Sequence, residues 1–446
     1  MRRLHIVTAL LFAMLPLVVA GSQPAPARAT DVERWIAATA VPLRSVELQG
    51  DLDDLQPLAR MVGSGRVVAL GESTHGAHEP LAFRNRLFRY LVERLGFTAI
   101  ALETGLPESR AIAVFVAGGS GAPPPTEAAR IAGESFTWGF GNFAENVELI
   151  RWMRAYNDDP RRHRKVRFYG VDLSLGGPQG STPTPAAIES ALRYLARVDA
   201  PAASRLRPRF APLIRHLPGD PSSRISTAEH DSLTSAIGAL VQQLERGRGA
   251  YAAASSNEEH AWALRAAVTA QQGDLVHRAQ APPSPDGGIS PGAWREIEAR
   301  DSAMAENVRW ALEQEGHSGR MLVFAHDMHV KNAPTVGGPW KLERPPGAMG
   351  QHLRRALGDQ FVIVGSVGGR KPAADPTGID SALARVGRPP FVLDLRGASA
   401  PAVRHWLAAE HALDVNDGST IRLRPGSAFD VLLYLGPLTA ARPNAP

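Results

Sequence analysis

The chain has 446 residues, 44% of them apolar and 21% charged. That is the profile of a globular protein with enough chain for one large domain or two ordinary ones. Cysteine is absent, which excludes disulfides, thiol nucleophiles and lipid attachment at a cysteine. The formal charge of +5 is thin, because residues 1–29 carry Arg2, Arg3 and Arg28 and no acid, and without them it falls to +2. The one dense basic run, Arg161–Lys165, reads as a solvated turn, so no nucleic-acid partner is expected.

In chain order, Arg2 and Arg3 precede an apolar stretch, Ile6–Ala20, and small residues at Ala20 or at Ala27-Arg28-Ala29 offer a cleavage site. The stretch is short for a membrane span and a Pro-rich segment follows it, so residues 1–29 read as an export signal. Residues 30–446 are then expected as a single α/β domain, periplasmic or secreted, with no stable membrane insertion. Short helices are expected at Val32–Ala40 and Leu55–Val62.

The central stretch runs from Arg66 to Glu103. Arg66–Leu70 is a Val-rich run suited to a sheet covered on both faces. Gly71 ends it, and Glu72, Ser73, Thr74 and His75 crowd the following loop. Apolar residues at Leu81, Leu87, Phe88, Leu91, Val92 and Leu95 predict an amphipathic helix, closed by Gly96. Thr98–Leu102 is a second strand with Glu103 just past its end. A unit of this length makes the two strands parallel and puts Glu72, His75 and Glu103 at one carboxyl edge, where open α/β sheets bind ligands.

Beyond it, Asn142–Tyr156 is a helix and Val166–Val171 a third strand followed by Asp172. From about 184 to 309 only helical periods recur (Ala186–Val198, Ser232–Leu244, Glu258–Gln272, Ile297–Leu312), which predicts a helical insertion or lid over the active edge. Met321–Ala325 returns to the sheet with His326, Asp327 and His329 behind it, and Phe361–Val367 is a fifth strand. Phe391–Leu395, Ile421–Leu423 and Val431–Leu435 extend the sheet in mixed direction. The expected class is α/β: a three-layer core with a mainly parallel sheet flanked by helices, plus the helical insertion.

The chemistry gathers at the strand ends. His75 is the candidate proton carrier, with Glu72 or Glu103 fixing its tautomer. His326 and His329, three residues apart, fall on one side if a helical turn starts there. Arg84 either brings positive charge to the site or lies on the helix surface beside Glu79 or Glu93. Trp138 and Asp172 are placed as substrate contacts, with Phe140 as a pocket wall. By donor type, Glu72, His75, Glu103, His326 and His329 also resemble a divalent-metal cage, although no H-E-x-x-H helix is present. Gly368-Gly369 reads as a turn, and the absence of G-x-S-x-G disfavours a serine hydrolase elbow.

The motifs GESTHGAHE with Arg84, LVERLGFTAIALE, NVELIRWMRAYN, FYGVDLS, RDSAMAENVRWALE, FAHDMHV and MGQHL together resemble the erythromycin esterase family, over roughly Val67–Val367. The resemblance implies a carboxylic ester hydrolase opening a small-molecule ester or macrolactone, with an erythromycin-type macrolide as the leading substrate. It implies His75 as the base that activates water, and matches Glu72, Glu103, Arg84, His326 and His329 to positions needed for activity. No cofactor is expected. The alternatives are a hydrolase that binds a divalent metal at the Glu/His cluster, and a non-catalytic exported binding protein.

Overall fold

The structure, a computed structural model, describes residues 30–173, 183–214, 226–280, 290–338, 342–387, 389–416 and 418–444. The expected export signal, residues 1–29, lies outside them. In chain order the strands are β1 (Val41–Pro42), β2 (Val67–Glu72), β3 (Ala99–Gly105), β4 (Arg167–Asp172), β5 (Met321–His326), β6 (Val336–Gly337), β7 (Phe361–Gly369), β8 (Phe391–Asp394), β9 (His411–Val415), β10 (Ser419–Leu423) and β11 (Val431–Pro437).

Eight of them form one sheet in the order β1-β8-β11-β7-β2-β5-β3-β4. From β11 to β4 every pairing is parallel, and β1 and β8 are the antiparallel additions. The sheet is therefore mainly parallel and covered on both faces. Val68 and Leu70 point into one core with Phe88, Leu91 and Ile150. Val67 and Ala69 point into the other with Met304, Val308 and Leu353. This double burial explains why β2 is apolar without alternation.

Three local differences have physical causes. Ile421–Leu423 does not join the main sheet; it lies in β10, between β6 and β9 in a small antiparallel sheet. The helix Ala200–Ile214 was not foreseen, because Pro201 and Pro208 break its pattern. Burial of Ala202, Ala203 and Phe210 against neighbouring helices outweighs that local cost. Glu72, Glu103, Asp172 and His326 all lie inside their strands rather than just past them, so the sheet edge holds them on regular backbone.

Between β4 and β5 the described residues are helical: Pro183–Val198, Ala200–Ile214, Thr227–Arg246, Arg248–Ala254, Asn257–Ala279 and Trp294–Gln314, with one short 3-10 turn. The first five share a core of their own. The last packs its Met304 and Val308 against the sheet, which carries its N-terminal half towards the strand ends. Among the described residues no helix is long and apolar enough to cross a membrane.

Candidate active site

The helix His78–Leu95 runs back from the end of β2, closed by Gly96 at φ 70° in the left-handed conformation that glycine accepts without strain. The short loop between strand and helix carries His75. Its Nδ1 lies 2.7 Å from Glu72 Oε2, and its backbone N–H donates to Asn416 Oδ1 at 3.3 Å. The Asn416 N–H donates in return to Ser73 O, so the turn between β9 and β10 clamps the loop. The ring is about one third exposed, 34%, and packs against Phe140 and His326 with centroids 5.3 and 4.7 Å away. Burial works against the charged ring, but the charge and hydrogen bond of Glu72, with Glu103 farther off, outweigh it and hold the pKa above its ordinary 6.5. The carboxylate that orients His75 is thus Glu72, not Glu103.

Glu103 serves the next strand instead. Its Oε2 accepts the backbone N–H of His326 at 2.8 Å, while Oε1 takes Arg300 Nη2 at 3.1 Å and His329 Nε2 at 3.2 Å. Although burial opposes its charge, His329, His75 and Arg300 hold the carboxyl well below the usual range. His329 lies between two acids, since its Nδ1 is 2.9 Å from Asp301 Oδ1. Burial and Arg300 oppose its charge, but Asp301 and Glu103 prevail and push the pKa up to about 10. At neutral pH it is an imidazolium with both N–H groups used.

His326 is the opposite case. It caps the short helix Asp327–Val330, its Nδ1 accepting the Met328 N–H at 3.2 Å. That bond places the remaining ring proton on Nε2, and Nε2 is buried without a partner among the described residues. Burial foremost, with His75 next, holds the pKa well below 6.5. The pair three residues apart therefore consists of one neutral and one charged ring.

Arg84 is fully buried, so its reading as a surface arginine does not hold; Glu79 binds Thr439 and Glu93 binds Arg89. Its guanidinium lies 4.9 Å over the Phe324 ring and donates to Asn85 Oδ1. Burial lowers its pKa to about 10, against the charges of Glu72 and Glu145. With Glu72, Glu103 and Phe140 it lines a cavity of about 10 Å³, close to the space one water needs.

Asp172 is fully buried and gripped by Arg300, whose Nε and Nη2 donate to it at 2.9 and 2.7 Å. Trp138 Nε1 donates to the same carboxylate at 3.0 Å. Asp172 thereby positions Arg300 and Trp138 and leaves the exposed surface to Trp138, which is 43% exposed and adopts a φ of 61°. Such a conformation is costly for a bulky residue and clusters at functional sites.

Arg300, Asp301 and Asn416 were not singled out as site residues. Arg300 and Asp301 were present only inside the RDSAMAEN motif, and nothing in the spacing of Asn416 marked it. The sequence assigns Asp327 no role. It is fully buried, its Oδ1 accepting the Ser366 N–H at 3.1 Å. Burial, with the Glu72 charge, pushes its carboxyl well above the ordinary range. Among the described residues no three His, Asp or Glu side chains are disposed to hold a metal ion.

The chain resembles erythromycin esterase type II of Escherichia coli, 26% identical over 337 residues that make up 75% of this chain and 76% of that protein. A crystal structure of a Bacillus cereus protein superposes with a TM-score of 0.75 at 25% identity, covering 92% of this chain and 98% of that one. A mutant of the erythromycin esterase EreC in its open conformation shares the fold, with a TM-score of 0.65 at 16% identity over 91% of this chain and 99% of that one. Residues 92–436 match the family described as erythromycin esterase, and this chain belongs to that family.

Proposed function

We propose that the chain hydrolyses an ester or macrolactone, with an erythromycin-type macrolide as the leading substrate, through water activated at His75. Family membership supports a hydrolase of the macrolide-esterase type. The observation that carries the mechanism is the 2.7 Å contact between Glu72 Oε2 and His75 Nδ1, which leaves Nε2 as the nitrogen to take a proton from water. Glu72 keeps the ring in that tautomer and steadies the imidazolium as it forms. The neutral His326 Nε2–H, unpartnered beside the His75 ring, donates to the oxyanion that develops as water adds to the carbonyl. The His75 imidazolium then returns its proton to the departing alkoxide, and no acyl-enzyme forms.

Glu103, His329, Asp301 and Arg300 hold His326 in place and keep the surrounding charge nearly balanced. Trp138 offers an apolar face to the substrate. With the export signal removed, the reaction takes place outside the cytoplasm.

The test is mass spectrometry of erythromycin incubated with the protein, with and without EDTA, beside His75→Ala. Gain of one water that requires His75 and survives EDTA supports this reading. Loss of activity with EDTA would transfer the water-activating role to a metal.

A further inference from the structure

The chain beyond β11, Leu438–Asn444, runs over the seam between the His75 loop and the loop that carries Phe140. The two loops abut directly, since a Cβ on Gly76, whose φ is 67°, would fall 3.1 Å from Phe143 Cζ. Each loop leads into a helix, His78–Leu95 and Ala144–Asp158. The first N–H groups of a helix need acceptors. Ala77 and Phe143 stand where a Ser, Thr, Asp or Asn would cap, so neither helix has a side-chain cap of its own.

The C-terminal segment supplies both caps in the same way. Thr439 O accepts the His78 N–H at 3.0 Å, and Arg442 O accepts the Ala144 N–H at 2.8 Å. The acid in each first turn reaches back. Glu79 Oε2 accepts the Thr439 N–H at 2.8 Å, and Glu145 Oε1 accepts the Arg442 N–H at 3.1 Å. This is the reciprocal pattern of a capping box, made twice, with Thr439 and Arg442 in place of each helix's own cap residue. Arg442 adds a bond from Nε to the same fully buried Glu145 at 3.0 Å.

Two further bonds fall beside the site itself. The Ala441 N–H donates to Gly76 O at 2.9 Å, next to His75. Asn444 Nδ2 donates to Gly141 O at 3.0 Å, next to Phe140. Little apolar surface is involved, because Thr439, Ala440, Arg442 and Pro443 are exposed. What these contacts fix is the spacing of the two loops, and with it Phe140 against the His75 ring, 5.3 Å between centroids. The residues also lie past 436, where the match to the family ends.

We propose that residues 439–444 form a double helix cap that positions the His75 loop against Phe140, with Thr439, Arg442 and Asn444 as positioning residues. The consequence for turnover rests on the hydrolase reading; the double cap does not.

The test compares wild type with a variant ending at Leu438, which keeps that buried residue, and with the full-length double variant Arg442→Ala, Asn444→Ala. Hydrogen exchange of residues 76–78 and 141–144, read by mass spectrometry, should quicken in both variants, most in the shortened chain, while a cooperative melt survives. In ester hydrolysis the shortened chain should lose about 10²-fold in kcat, the cost of a catalytic group displaced by about 1 Å, with KM little changed. The double variant should shift in the same sense to a smaller degree, and it decides by the same readouts if the shortened chain does not fold. Unchanged exchange in both segments overturns the proposal, as does a loss of activity that only follows the fraction unfolded. A wild type that hydrolyses no ester removes the hydrolase reading and leaves the double cap to the exchange measurement. An active wild type whose shortened form keeps its kcat overturns the proposal and spares that reading.

Discussion

Glu72 ends a strand and His75 sits three residues later, with 2.7 Å between Oε2 and Nδ1. The regular backbone of β2 fixes the acid, and the Asn416 clamp fixes the base. His75 must be neutral to accept a proton, so activity rises with pH through a pKa that lies above 6.5. Removing the Glu72 charge with Glu72→Gln should move that limb to lower pH and reduce kcat. His75→Ala should lower kcat by about 10²–10⁴-fold. A pH profile of kcat/KM for the three proteins checks both statements, and an unmoved acid limb in Glu72→Gln would contradict the pairing.

In the proposed mechanism His326→Ala removes the neutral donor that meets the developing oxyanion. The expected result is a fall of about 10²–10³-fold in kcat with KM little changed, as for loss of one oxyanion donor. Steady-state kinetics decide it; an equal loss in KM would point to ground-state binding instead.

His329 has a folded pKa raised from 6.5 to about 10. A histidine raised in this way contributes stability that is full below 6.5 and is lost as pH climbs through about 10. Melting temperature should therefore decline across that window, and the decline should be shallower in His329→Gln. Nitrogen-15 NMR of the ring should show both nitrogens protonated at pH 8.

Arg300→Met strands the fully buried Asp172, whose carboxylate otherwise receives two guanidinium bonds. Breaking a buried pair from one side costs about 3–5 kcal/mol. Urea unfolding should show a loss of that order, and the double variant Arg300→Met with Asp172→Asn should recover part of it.

Gly71 follows from a close approach. A Cβ at this position would fall 1.8 Å from Asp327 Oδ1, and that oxygen is held by the Ser366 N–H. Gly71→Ala should destabilise by about 1–3 kcal/mol, the range for overpacking a tight core, with activity lost through displacement of the neighbouring Glu72. Unfolding curves and residual kcat measure the two effects separately.

Much of the fold was legible because burial on both faces writes itself into composition. The continuous apolar runs of β2, β3, β5 and β7, and the helix between Ala77 and Gly96, follow from period and punctuation alone. The helix Ala200–Ile214 did not, since its prolines argue locally against what its packing secures. Ile421–Leu423 looked like one more sheet strand, and only its partners β6 and β9 show that it belongs elsewhere. The turn before it places Asn416 on the His75 loop, a contact between residues 341 apart.

Which chemical groups stand at the sheet edge can be read from the chain alone, because each follows an apolar run that has to be a strand. Glu72, His75, Glu103, Asp172, His326 and His329 were all assembled in this way. Packing in three dimensions sets the charge and the partners of each one. Proton affinity depends on burial and on charges from distant segments, so two histidines of one short motif become a neutral donor and a fixed cation. Glu103, interchangeable with Glu72 on paper, is bound instead to Arg300 and His329, because a helix nearly 200 residues downstream brings its cation to that carboxylate.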